Sequence, residues 1–167
     1  MAKSGMTRDS FSNVGFATVT ESAANTLTFA EIQTNVSVFE KIAWVLHRLE
    51  WYVPQATRAL IIDSADKFDM GMTASRSLTT LALNESSMID LLSVQGGDSF
   101  PQMPLIRDFS GLPGGGKLIP PRPLFVALKG LSVASAGTIN LRFLFTMREV
   151  SAEDYYNLLD FYRIVST

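Results

Sequence analysis

Eight residues, Gly111–Leu118 (GLPGGGKL), come within one side chain of a phosphate-binding loop. That loop, G-x-x-x-x-G-K-[ST], needs a hydroxyl after its lysine to hold magnesium, a strand before it and a helix after it. Here Leu118 stands in the hydroxyl position, and Pro120, Pro121 and Pro123 forbid the helix. The segment therefore reads as a surface loop. His47 is the only histidine. Metal sites and catalytic triads need a second imidazole or a nucleophile in register, so His47 is expected to be a strand residue with one ring nitrogen hydrogen-bonded. Asp63, Asp66 and Asp69 bracket a short loop, but their spacing is not that of a calcium loop. Glu21, Glu31, Glu40 and Glu50 would serve acid–base chemistry on glycosides only if two of them met in space, and no spacing singles out a pair. The chain has no cysteine, which removes thiolate chemistry and Cys-based zinc sites. The rings of Trp44, Trp51 and Tyr52 would suit a sugar- or base-binding face if exposed; core or interface packing is the expected use. No catalytic, cofactor-binding or metal-binding residue is assigned, and the chain is read as a non-enzyme without a cofactor.

The elements that would position these residues are mostly strands. Val14–Thr20 alternates weakly, and Leu27–Ile32 lies in a Thr-rich context that favours strand. Ile42–Val53 (IAWVLHRLEWYV) fits either periodicity, but its tryptophans, tyrosine and valines favour strand, and Pro54 closes it. Phe68–Ser75 alternates, with Gly71 a bulge or a point of close contact. Asn84–Val94 is either one or two helical turns or a strand from Met88. Pro101–Pro123 holds six of the seven prolines and reads as a long ordered loop without a regular element. Leu124–Leu128 and Thr138–Val150 then form a final strand pair joined by GLSVASAG. In the second of these, Ile139, Leu141, Phe143, Phe145 and Met147 share one face, which implies a buried side and a wetter side. Ser151, with Asp154 three residues on, marks the start of a C-terminal helix carrying Tyr155, Leu158, Leu159 and Tyr162.

Length and composition agree with one domain: an N-terminal arm over 1–13 and a folded body over 14–167. Of the 167 residues, 47% are hydrophobic and 18% charged, with a formal net charge of -2. The charged fraction is low against about 25% for a typical soluble domain. Neutral surface of this kind often ends in subunit contacts. There is no Lys/Arg cluster of the kind that marks a nucleic-acid-binding domain, and no segment reaches the ~20 apolar residues needed to span a bilayer.

The succession FDMGMTAS, SLTTLALNESSMIDLL, PPRPLFVALKG and GTINLRFLFTMREVSAEDYYNLL resembles the single jelly-roll capsid proteins of small icosahedral viruses, over roughly Asn25 to Leu159. The likeness is one of strand and loop rhythm and assigns no particular virus family. It implies a polar arm followed by a jelly-roll β-sandwich of about eight antiparallel strands, here with short helical turns and a C-terminal helix. It also implies a coat subunit that self-assembles with copies of itself into a virion, built in the host-cell cytoplasm. Many such proteins neutralise the packaged genome with an Arg/Lys-rich arm. This arm offers only Lys3 and Arg8, so nucleic-acid contact is expected to be weak or indirect, with another capsid protein or an internal membrane as a further partner. The expected subunit contacts are the apolar residues without an evident strand role: Phe11, Phe16, Phe100, Leu112, Leu118 and Ile119. The alternative is a β-sandwich carbohydrate-binding module using Trp44, Trp51 and Tyr52, which requires those rings to face solvent.

Overall fold

The computed structural model describes residues 12–34, 41–96, 103–121 and 123–162. In chain order the elements are β1 (Asn13–Thr20), β2 (Thr28–Glu31), β3 (Ile42–Tyr52), α1 (Gln55–Arg58), β4 (Lys67–Thr73), β5 (Met88–Gln95), β6 (Leu105–Asp108), β7 (Lys117–Ile119), β8 (Phe125–Leu131), β9 (Thr138–Glu149) and α2 (Ala152–Phe161). They form two antiparallel sheets. Sheet A runs β1-β9-β3-β6, with β7 also paired to β3, and sheet B runs β2-β8-β4-β5. β6 pairs with Arg48–Trp51 and β7 with Trp44–Leu46, so the two together make one interrupted edge strand along β3. Counted that way, the described residues form eight strand positions, four in each sheet. The chain passes between the sheets at every step except β4 to β5 and the interrupted pair β6 to β7. This is the jelly-roll form of the β-sandwich.

Two expectations are corrected. Residues 101–123 are not one ordered loop without a regular element, because β6 and β7 lie within them. Strands of four and three residues are too short to show alternation, and they exist because β3 presents an otherwise unpaired edge. β8 and β9 are also not hydrogen-bonded mates: β8 lies between β2 and β4, and β9 between β1 and β3. The connection GLSVASAG crosses from one sheet to the other instead of turning a hairpin. Asn84–Val94 resolves to a strand from Met88, and Ile42–Tyr52 is a strand throughout.

The core lies between the sheets. The alternation expected of β9 holds, with Ile139, Leu141, Phe143 and Phe145 buried. From β3, Trp44, Leu46, Leu49 and Trp51 point the same way, and Trp44 stacks on Phe145 with ring centroids 3.9 Å apart. Phe68, Met70, Met72, Val126 and Leu128 close the core from sheet B.

Two polar clasps tie the sheets together. At one end Glu21, just past β1, is buried and accepts hydrogen bonds from the backbone N–H groups of Gly130 (2.6 Å) and Gly137 (2.9 Å). This anchors β1 to both ends of the β8–β9 crossing. At the other, Asp90 of β5 is 3% exposed and accepts from Trp51 Nε1 and Arg107 Nε, each at 3.2 Å. Lys117 Nζ donates to the Ile89 carbonyl beside it. Burial pulls the Lys117 amine below its usual value, against the opposing pull of Asp90.

Helix α2 begins as expected. The Ser151 hydroxyl accepts the Asp154 N–H at 3.0 Å, and Tyr155 and Leu158 are buried. Tyr162, just past the helix, donates its hydroxyl to the Leu118 carbonyl at 3.3 Å, and burial pushes its pKa up to about 12.

Candidate subunit interface

His47 sits where β3 slips register against β9, between Leu46 and Arg48. That bulge faces the gap between β6 and β7, and the Phe109 N–H donates to the His47 carbonyl at 2.7 Å. Nδ1 of His47 lies 2.8 Å from the Gly115 carbonyl, which can only accept, so Nδ1 carries the hydrogen. Nε2 lies 3.0 Å from the Thr146 hydroxyl. Both ring nitrogens are engaged, one more than expected, and the imidazole serves as a staple for the loop over 109–116. Gly114 and Gly115 take positive φ angles of 90° and 79° in that loop. Its lysine is on β7, directed at a backbone carbonyl between the sheets, so the near-match to a phosphate-binding loop forms no anion cradle.

Four of the carboxylates, Asp66, Asp69, Glu21 and Glu50, are likewise engaged in holding the fold. Asp66 accepts the N–H groups of Ile62 (3.0 Å) and Asp63 (2.9 Å), bracing its own loop. Asp69 pairs with Lys67 at 3.1 Å and accepts from Ser93. Glu21 holds the β8–β9 crossing, Glu50 pairs with arginines, and Glu31 is exposed at the end of β2. Glu40 lies outside the described residues. Among the described residues, no group of three or more His, Asp or Glu converges to hold a metal.

Among the described residues, the outer face of sheet A gathers four exposed apolar side chains on strands, apart from Tyr156 and Phe161 on helix α2. Strand alternation sends Val14, Phe16 and Thr18 outward from β1, Asn140, Arg142 and Leu144 from β9, and Glu50 and Tyr52 from β3. Phe16 is 73% exposed, Ile106 49%, Val14 45% and Tyr52 43%. Register places Phe16 opposite Arg142, Arg142 opposite Glu50, and Glu50 opposite Ile106, in one row across four strands. Within it Arg142 Nη1 lies 3.1 Å from Glu50 Oε2, while Arg48 Nε lies 2.9 Å from Glu50 Oε1. A shallow groove of about 380 Å³ runs over this face between Phe16 and Tyr52, with Asn140 and Arg142 in its floor. Outside the groove, Asp108 stands at the end of β6 opposite Arg48, and the hydroxyl and N–H of Ser110 hold its carboxyl below the usual carboxylate range.

Of the residues expected to contact other subunits, Phe16 belongs to this face. Leu112 is exposed in the turn after β6. Leu118 and Ile119 are not in a loop: both lie on β7, Leu118 is half-buried, and Ile119 has no exposed surface. Ile119 pairs with Trp44, whose side chain points inward, so it shares the core. Phe11, Phe100, Lys3 and Arg8 lie outside the described residues. Two of the three rings weighed for sugar binding take the packing role expected of them instead. Trp44 and Trp51 are buried, one stacked on Phe145 and the other bonded to Asp90, and only Tyr52 reaches solvent. Sequence reasoning missed Val14, Ile106, Glu50 and Arg142 as members of one surface. The outward phase of β1 and β9 was the available signal. No protein-family model matches the chain, and no curated protein matches it either.

Proposed function

We propose that this chain is a structural protein, a coat subunit that self-assembles with its own copies into an icosahedral viral shell. The observation that carries the reading is the pairing of a jelly-roll sandwich with a weakly charged exterior on which Val14, Phe16, Tyr52 and Ile106 stand exposed together. Apolar side chains held on rigid strands lose little entropy on contact, and burying them against a neighbour involves little polar desolvation. Repeated weak contacts of this kind close into a shell when their symmetry permits. The buried tryptophans leave the carbohydrate-binding reading without its platform, and among the described residues Glu21, Glu31 and Glu50 are scattered and offer hydrolysis no pair. In this reading the protein resides in the virion after assembly in the host cytoplasm. With few cations in its arm it contacts the genome weakly, through another capsid protein or across a membrane. Electron microscopy of the purified full-length chain tests the proposal. Closed particles of uniform diameter are expected; a monodisperse monomer at high concentration overturns it.

A further inference from the structure

We infer that the outer face of sheet A is a homotypic docking surface, on which a second copy of this chain lies face to face with its strand order reversed. The inference rests on the assembly reading above and names the surface and pairing it would use. Two observations carry it: the grouping of exposed apolar side chains on this face, and the charge pattern between them. Arg48 and Arg142 stand with Glu50 and Asp108 in the exposed part of the face, so opposite charges are patterned across the strands there. Two copies of one face can meet about a two-fold axis lying in that face. An axis running across the strands sets each strand on its own copy and stacks Arg142 on Arg142 of the partner subunit, which like-charge repulsion opposes. An axis running along the strands, between β9 and β3, keeps each row and reverses its order. The row Phe16–Arg142–Glu50–Ile106 then lies over itself backwards. Phe16 meets Ile106 of the partner subunit, and Arg142 meets Glu50 of the partner subunit. This is also the aligned way in which two twisted sheets pack.

The size of the patch fits a weak contact. Four strands about 4.8 Å apart, with side chains, span roughly 20 Å; β1, β9 and β3 run together for about 20 Å and β6 for about 14 Å. That gives roughly 370 Å² per copy and about 750 Å² in total, the size of a weak, transient contact. A contact of that size suits a surface meant to be used many times and reversibly.

The test uses two charge reversals of the full chain, each checked for folding by thermal unfolding. Glu50→Arg alone sets arginine against arginine across the axis, and Arg142→Glu alone sets acid against acid. Each is expected to weaken self-association about tenfold or more in analytical ultracentrifugation. Mixing the two restores it, because every pair across the axis is then opposite in sign. An ion pair acting only within one chain gives no such recovery on mixing. Phe16→Lys, at a position without a core role, provides a variant whose folding is not in question, and it too should weaken association about tenfold. The inference is overturned if folded single variants associate like the wild type, or if the mixture remains as weak as its components. If Phe16→Lys still forms particles, this face is not the contact while the shell reading stands. If the wild type forms only dimers that Phe16→Lys abolishes, the face is correct and the shell reading fails.

Discussion

Replacing Glu21 tests whether a single buried carboxylate holds the sandwich together at the β1 end. Its two oxygens take the N–H groups of Gly130 and Gly137, and its own N–H donates to the Gly137 carbonyl at 3.0 Å. Hydrogen bonds to a charged acceptor contribute about 1.5–3 kcal/mol each, and a buried donor left alone costs about 1–3 kcal/mol. Glu21→Ala removes the acceptor for both donors and is expected to cost about 3–5 kcal/mol. Glu21→Gln keeps the shape and one acceptor but turns an amide donor toward the second N–H, so its cost is about 2–3 kcal/mol. At 2–4 °C per kcal/mol for a chain of this size, the alanine variant should melt about 10 °C lower. Urea unfolding followed by tryptophan emission reads the stability, and amide exchange at Gly130 and Gly137 reads the site. The order wild type, glutamine, alanine is the expected result. A glutamine variant as stable as the wild type, or an alanine variant within about 1 kcal/mol of it, would show that the β8–β9 crossing is held by something other than this carboxylate.

Three further perturbations reach other parts of the fold. Tyr162 has its folded pKa raised from 10.0 to about 12 by burial, so the native state keeps a proton that the unfolded chain releases above pH 10. Its contribution is therefore complete below pH 10 and lost between pH 10 and 12, by about a factor of ten in the unfolding constant per pH unit, and Tyr162→Phe should flatten that part of a urea-unfolding profile. A Cβ on Gly15 would fall 2.1 Å from Cζ of Phe143, whose ring covers that glycine, so Gly15→Ala should push the ring off its stack with Trp44. Overpacking of this kind costs about 1–3 kcal/mol and should also weaken the near-ultraviolet circular dichroism. Because Trp44 and Trp51 are both buried, native emission should be blue-shifted and resist quenching by acrylamide, and ready quenching would contradict the core described here.

The parts of this fold legible in the sequence are those stabilised by their own pattern. β9 is long, is buried on one side and shows it. Helix α2 announces itself through Ser151 and Asp154, whose interaction is local. Strands β6 and β7 were not legible because pairing with β3 creates them, and no periodicity fits into four residues. The pairing of β8 and β9 was misjudged for a related reason. Adjacent strands with a Gly-containing connection look alike whether the turn stays in one sheet or crosses to the other, and only the partners supplied by β1, β2, β3 and β4 decide. The candidate face was readable one strand at a time. Phe16 stood out as an apolar residue on a polar segment, but its row with Arg142, Glu50 and Ile106 depends on the register of four strands distant in sequence. Composition anticipated a neutral exterior without saying where its apolar members would collect.

The break between β6 and β7 has a consequence for how copies can meet. A continuous outer strand would offer a ladder of open amides and carbonyls, ready to zip onto another molecule by strand addition. Here that margin is two short pieces carrying Arg107, Asp108 and Lys117, with a glycine-bearing loop stapled across the gap by His47. Fibre-like growth along this rim is disfavoured. Crowded molecules are steered away from backbone stitching there and toward contacts made by side chains, whose geometry can be specific and whose hold can be released.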